Sequence, residues 1–226
     1  MQVYNAPLRD MRFVLHELHD SAGHMEAIGK TDVTEDLIDS ILEEAAKFAT
    51  EVLLPINASG DEEGCQYENG VVRTPKGFKQ AYDMFRESGW GALGSPTEYG
   101  GQDLPEIVSK MVEEMQCSAN LSFGLYPGLT HGAVLAMLGH ASEEIKAQYL
   151  PKMIEGTWSG TMNLTEPHCG TDLGMLRTKA VPQPDGSYKI TGNKIFISAG
   201  EHDLTENIIH LVLARLPDAP KGVKGI

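Results

Sequence analysis

The chain has 226 residues, room for one large domain or two modest ones with a core that needs no disulfide or metal staple. Lys and Arg number 18 against 32 Asp and Glu, a net charge of −14, which argues against nucleic acid or an anionic membrane as the main partner because phosphates are repelled. Three cysteines, Cys65, Cys117 and Cys169, odd in count and far apart, argue against a disulfide framework or a Cys-based zinc site.

Met1 to Asp20 carries charges throughout and has no apolar run of the kind that marks a secretory leader. The longest apolar stretches, such as Ala133 to Leu138, read as too short to span a bilayer. The expected address is cytoplasmic, without membrane insertion.

The first two-thirds predicts helices. A weak one covers Leu8 to His19. Asp32 with Glu35 forms a capping-box pattern, and Leu37, Ile38, Ile41, Leu42, Ala45, Phe48, Ala49, Val52 and Leu53 then recur at helical spacing up to Pro55. Asp61 to Gly64 reads as an exposed loop. Thr74-Pro75 opens a helix with Phe78, Ala81, Tyr82 and Phe85 on one face, and Gly89 sits where a C-terminal cap belongs. Asp103 to Glu106 starts another, striped by Ile107, Val108, Met111, Val112 and Met115. Thr130 to Leu138 predicts a short apolar helix ended by Gly139. Ser142-Glu143-Glu144 caps a helix to about Tyr149, with a short continuation from Pro151.

Around Gly156 the texture changes. Trp158 to Leu164, Arg177 to Val181, Tyr188 to Ser198 and Ile208 to Leu216 are runs rich in Thr, Ile and Val, separated by Pro184-Asp185-Gly186-Ser187 and Gly192-Asn193. Helices first and strands second predict an α+β protein, with a helical domain over 1–156 and a β domain over 157–226. Four strands with open edges are a liability, so the β domain is expected to be incomplete, with further strands lying beyond Ile226.

Several local patterns fail on context. Gly89-Trp90-Gly91-Ala92-Leu93-Gly94 matches G-x-G-x-x-G, but a helix precedes it and Pro96 follows, so it lacks the strand-to-helix setting that phosphate binding needs. His16 and His19 are three apart, not the four of H-E-x-x-H. His168 and Cys169 are adjacent, which on an extended segment points them opposite ways. The run from Met162 to Asp172 differs: it leaves a strand into a loop dense in hydroxyls, glycine and backbone donors, suited to ring carbonyls and a pyrophosphate.

Leu164-Thr165-Glu166-Pro167-His168-Cys169-Gly170-Thr171-Asp172 resembles the L-T-E-P-x-A-G-S-D signature of the flavin-dependent acyl-CoA dehydrogenases. Gly192 to Ser198 resembles their G-x-K-x-W-I-T segment, and Pro96 to Gly101 their P-E-E-Y-G-G loop. Ala6 to Phe13 is similar to the opening of one branch, the bacterial 3-methylmercaptopropionyl-CoA dehydrogenases. The resemblance implies an N-terminal helical domain, an antiparallel β-barrel domain that is partial here, and a C-terminal helical bundle absent from this chain. It implies FAD as cofactor, an acyl-CoA as substrate, an electron-transfer flavoprotein or similar acceptor as partner, and a homodimer or homotetramer at full length. By match, Met162, Leu164 and Thr165 line the flavin, Gly170 and Thr171 reach the pyrophosphate, Phe196 and Ile197 lie against the ring, and Ser198 offers a hydroxyl near N5. Phe196 stands for the family's Trp and loses its indole N–H. Phe196 and Ile197 also alternate as a strand would, so either is equally a core candidate. The family's catalytic Glu falls beyond Ile226, so no catalytic residue is assigned within the chain and Glu166 belongs to the flavin-binding signature. The resemblance leaves an acyl-CoA oxidase, or a non-catalytic flavin or acyl-CoA binding module, as alternatives.

Overall fold

The computed structural model describes residues 3–226; Met1 and Gln2, the start of the segment read for a leader, lie outside them. The chain opens with α1 (Leu8–Arg12), which widens into a π turn at Phe13–Leu18, followed by α2 (Ser21–Ala27). α3 (Glu35–Lys47) is capped by Thr34, whose hydroxyl accepts from Leu37 N at 3.2 Å, so the cap is Thr34 and not the expected Asp32. α3 buries Ile38, Leu42, Ala45 and Ala46, and a π turn over Phe48–Leu53 continues the same face with Phe48, Ala49 and Leu53. Pro55 ends the run in a tight turn, Leu54–Ile56.

The expected loop at Asp61 is instead the end of α4 (Asn57–Glu63). A hairpin absent from the sequence reading follows: β1 (Gln66–Glu68) pairs with β2 (Val71–Arg73) around Asn69-Gly70, both at positive φ, the conformation an Asn-Gly hairpin turn requires. α5 (Phe78–Glu87) starts three residues after the predicted Pro75 and buries Phe78, Ala81, Tyr82 and Phe85.

α6 (Glu106–Ala119) runs into α7 (Leu121–His140) through Asn120. The Asn120 side chain accepts from Phe123 N at 3.0 Å and donates to Leu53 O at 3.1 Å, closing one helix, opening the next and fastening both to the π turn. α7 is much longer than predicted and holds Pro127 in its interior. Its 20 residues carry no Asp, Glu, Lys or Arg, so by length and composition it could cross a membrane, which corrects the reading that every apolar stretch is too short. In this fold it packs on α6, β3 (Trp158–Asn163) and α8 (Glu143–Glu155). Gly160 of β3 permits that approach: a Cβ there would sit 2.6 Å from Ala133.

Phe123 meets Phe78, Tyr82 and Phe85 at ring-centroid distances of 6.0–6.4 Å, and Phe48 adds Trp90 at 6.3 Å. This aromatic cluster is the centre of the helical core. Gly156, at φ 84°, ends α8, and its carbonyl accepts from the Tyr82 hydroxyl at 3.1 Å where the chain enters β3.

The remainder is mostly loop. β4 (Lys179–Pro182) and β5 (Tyr188–Thr191) form an antiparallel hairpin, and β3 pairs with β6 (Asn207–Val212). The β3–β6 pair is parallel, from Trp158 opposite Asn207 to Asn163 opposite Val212. Helices before strands agrees with the predicted order. The antiparallel barrel does not: the described residues hold three two-stranded sheets, none closed. A parallel partner for β3 must come from a distant crossover, and the chain here spends 207–212 on it.

Candidate functional site

Two segments that are 30 residues apart in sequence meet beside the end of β3. The 164–171 loop turns back on itself, with Glu166 and Cys169 exchanging backbone hydrogen bonds at 2.8 and 3.1 Å. His168 and Cys169 therefore sit in a turn rather than on the extended segment expected. The second segment, 192–198, was predicted to continue β5; it leaves the strand at Thr191 and has no strand partner. Ile195 N donates to Thr165 O at 3.0 Å, and Lys194 Nζ donates to Leu164 O at 3.0 Å, so the backbones are tied directly.

Glu166 is the knot of this arrangement. It is 3% exposed. Its Oε2 accepts from Arg177 N at 2.8 Å, and its Oε1 from Thr178 N at 2.9 Å and from Lys194 Nζ at 3.0 Å. Burial pushes the carboxyl up, but the surrounding groups of Thr178, Arg177 and Lys194 outweigh it and hold the carboxyl at about 2. Sequence reading placed Glu166 in a signature and missed this role. The signal available was an acidic residue between Thr165 and Pro167, and a lone cation, Lys194, just ahead of the apolar run Ile195-Phe196-Ile197.

Glu166, His168 and Cys169 also bring three metal-ligand atoms within 4.8 Å of one another. The donor set does not fit a cation: both Glu166 oxygens are already bonded, an ammonium lies 3.0 Å away, and His168 Nε2 is 3.0 Å from Met175 O.

The structure brings Leu164, Thr165 and Gly170 together. A Cβ on Gly170 would lie 3.5 Å from the Thr165 methyl. Thr171 follows at the surface, and Met162, at the end of β3, is about half exposed. Phe196 is 88% exposed, while Ile197 is half-buried, so the aromatic residue is not a core residue. Phe196 and Ala199 hold φ of 56° and 54°, costly for side chains with a Cβ and a mark of a segment shaped for something other than packing. Ser198 is exposed. Among the described residues, no hydrogen bond or ring contact joins the Phe196 or Ser198 side chain to the 162–171 loop, and the amides of Gly170 and Thr171 donate to no other group.

The region thus offers exposed apolar faces at Met162 and Phe196, hydroxyls at Thr165, Thr171 and Ser198, and free amides at 170–171. These fit a planar guest with an apolar face, a polar edge and an anionic tail.

Residues 35–157 match the family model described as acyl-CoA dehydrogenase, N-terminal domain. The 3-methylmercaptopropionyl-CoA dehydrogenase of Ruegeria pomeroyi is 49% identical over 99% of the chain, which spans 38% of that protein. The chain therefore covers less than two-fifths of this curated relative's length. Among solved structures, butyryl-CoA dehydrogenase from Megasphaera elsdenii superposes with a TM-score of 0.69 at 25% identity, covering 83% of this chain and 46% of that one. An acyl-CoA dehydrogenase from Bacillus anthracis, complexed with FAD, shares the fold at a TM-score of 0.67 and 22% identity, over 82% of this chain and 30% of its own.

Proposed function

The chain belongs to the acyl-CoA dehydrogenase family, and on that premise we propose that it forms the flavin-facing part of an enzyme that removes hydrogen from the α and β carbons of an acyl-CoA thioester. One observation carries the reading: the two segments with family-like patterns, distant in sequence, are tied by Lys194–Glu166 and Ile195–Thr165. FAD, when bound, supplies the hydride-accepting capacity that no side chain has.

In this proposal Thr165 and Ser198 offer hydroxyls to the polar edge of the cofactor. Met162, Leu164, Phe196 and Ile197 cover its apolar face. Gly170 and Thr171 hold its pyrophosphate with backbone amides. Lys194 and Glu166 position the two segments. Removing an α-proton needs a carboxylate whose pKa lies nearer the working pH. Glu166, fully bonded and held at about 2, does not serve. We assign the base to polypeptide outside these 226 residues, and reoxidation to an electron-transferring flavoprotein. The chain by itself is then expected to give no acyl-CoA turnover with a dye acceptor.

FAD titrated into the chain, followed by flavin absorbance and fluorescence, tests the cofactor part. The expected result is a weak but saturable change whose midpoint rises at least tenfold in Thr165→Val and Phe196→Ala. Unsaturable change, or equal binding by both variants, overturns the reading.

A further inference from the structure

Arg215 follows β6 closely and is half-buried, and its guanidinium is spent entirely on backbone carbonyls. Nε donates to Leu176 O at 2.8 Å, Nη1 to Gly222 O at 2.7 Å and Pro220 O at 3.4 Å, and Nη2 to Gly174 O at 2.7 Å and Leu173 O at 3.4 Å. Among the described residues no carboxylate lies within ion-pair distance of it. Arg12, by contrast, pairs with Asp39 at 3.0 Å and Glu43 at 2.5 Å. A guanidinium is not deprotonated in proteins. The carbonyls therefore solvate a charge that they do not cancel.

Three of those carbonyls, at Leu173, Gly174 and Leu176, belong to the turn that follows the free amides of Gly170 and Thr171. Leu173 N donates to Thr171 O at 3.2 Å, so the amides and the turn that Arg215 grips form one continuous fold-back. Leu173 is two residues from Thr171, no more than about 7 Å of extended chain, a span comparable to the screening length of about 8 Å at physiological salt. The other ions of the loop leave the charge uncancelled. Lys194 and Glu166 neutralise each other at 3.0 Å. Asp172 is exposed, where water screens it, and its Oδ1 accepts from Gly174 N at 3.1 Å. We propose that Arg215 is a positioning residue for a diphosphate: its bonds shape the turn, and its unpaired charge raises the affinity of the Gly170 and Thr171 amides for the anion. The inference rests on the flavin reading for the place of the cofactor's tail, while the chemistry it names is that of a diphosphate whatever carries it.

Inorganic pyrophosphate is the probe, titrated into the full chain and read on the amide resonances of Gly170 and Thr171. The expected result is a saturable shift with a millimolar midpoint that rises about threefold when NaCl is raised from about 50 to about 300 mM. Arg215→Gln, which removes the charge, is expected to raise the midpoint about fivefold or more, and Arg215→Lys, which keeps the charge with fewer donors, to hold it within about twofold. That rescue separates charge from shape, because both variants lose carbonyl bonds and a turn that had merely slackened would weaken both alike. A flat or salt-independent response, an Arg215→Gln midpoint equal to wild type, or an Arg215→Lys midpoint as high as that of Arg215→Gln overturns the proposal. The FAD titration above decides the flavin reading separately: the expected pyrophosphate response without saturable FAD binding refutes that reading and supports this one.

Discussion

Leu8–Glu155 and Trp158–Ile226 are built on different forces. Nearly all the fully buried apolar side chains lie in the first region; the second contributes Cys169, Leu176 and Leu204. The second region instead leaves Met162, Val181, Tyr188, Ile190, Phe196 and Leu216 largely exposed. Its order comes from directed polar bonds. Glu166 gathers three donors, and the Arg215 guanidinium donates to the carbonyls of Leu176, Gly174 and Gly222 at 2.7–2.8 Å, joining the 173–176 turn to the final loop. A region held by polar knots can leave apolar faces uncovered and still keep its shape, which is what a docking surface for a flat cofactor needs.

The sharpest test of this contrast removes one anchor from each region. Phe123→Ala empties the aromatic centre of the helical core, where Phe123 is 0% exposed, and is expected to cost about 3–5 kcal/mol with little pH dependence, read by urea unfolding. Lys194→Met strands the Glu166 charge and is expected to cost about 3 kcal/mol at neutral pH. The second loss depends on acid. The Glu166 pKa is lowered from 4.5 to about 2 in the fold, so its bonds stabilise fully above about pH 4.5 and that contribution fades as pH falls toward 2. The gap between wild type and Lys194→Met is therefore expected to narrow across that window, while the Phe123→Ala gap stays. Parallel curves for the two variants would break the contrast.

These anchors were unequally legible. The apolar stripes of α3, α5 and α6 place their helices because 3.6-residue spacing reports burial directly. The apolar pattern predicts α7 only from Thr130; Gly124, Pro127 and Gly128 all disfavour helix, yet the buried Asn120 cap and the packing of Phe123 override propensity. Ile195 and Ile197 alternate like strand residues, but Phe196 and Ala199 at positive φ turn the chain away. The candidate site residues came from patterns in order along the chain. The Glu166–Lys194 tie did not, since the pair lies 28 positions apart across loop and hairpin and only tertiary structure closes that gap.

A smaller effect probes the seam between the regions. His202 is 4% exposed, stands edge-on to Tyr126, and accepts from Leu204 N at Nδ1, which leaves the Nε2 proton for Ser159 Oγ at 3.1 Å. Burial lowers its pKa, with Glu201 and Asp203 opposing in part. The neutral ring suits the fold, so stability is retained above the usual histidine range near about 6.5 and falls as pH drops below it. His202→Asn is expected to flatten the unfolding profile over pH 5–7; an unchanged slope would place the titration elsewhere.

The smallest expected effect lies wholly within the helical region. Ser142 caps α8, but its hydroxyl is 3.4 Å from Ile145 N, longer than the 3.0 Å that Asn120 reaches to Phe123 N. Ser142 is also exposed, so water can replace it, whereas the 1%-exposed Asn120 has no such substitute. Ser142→Ala is therefore expected to cost about 0.5 kcal/mol, at the low end for an N-cap, and Asn120→Ala about 2 kcal/mol because Leu53 O also loses its donor. If urea unfolding gives equal losses, neither the length of the cap bond nor burial of the capped junction sets the energy, and the helical region is less dependent on its interior than the contrast requires.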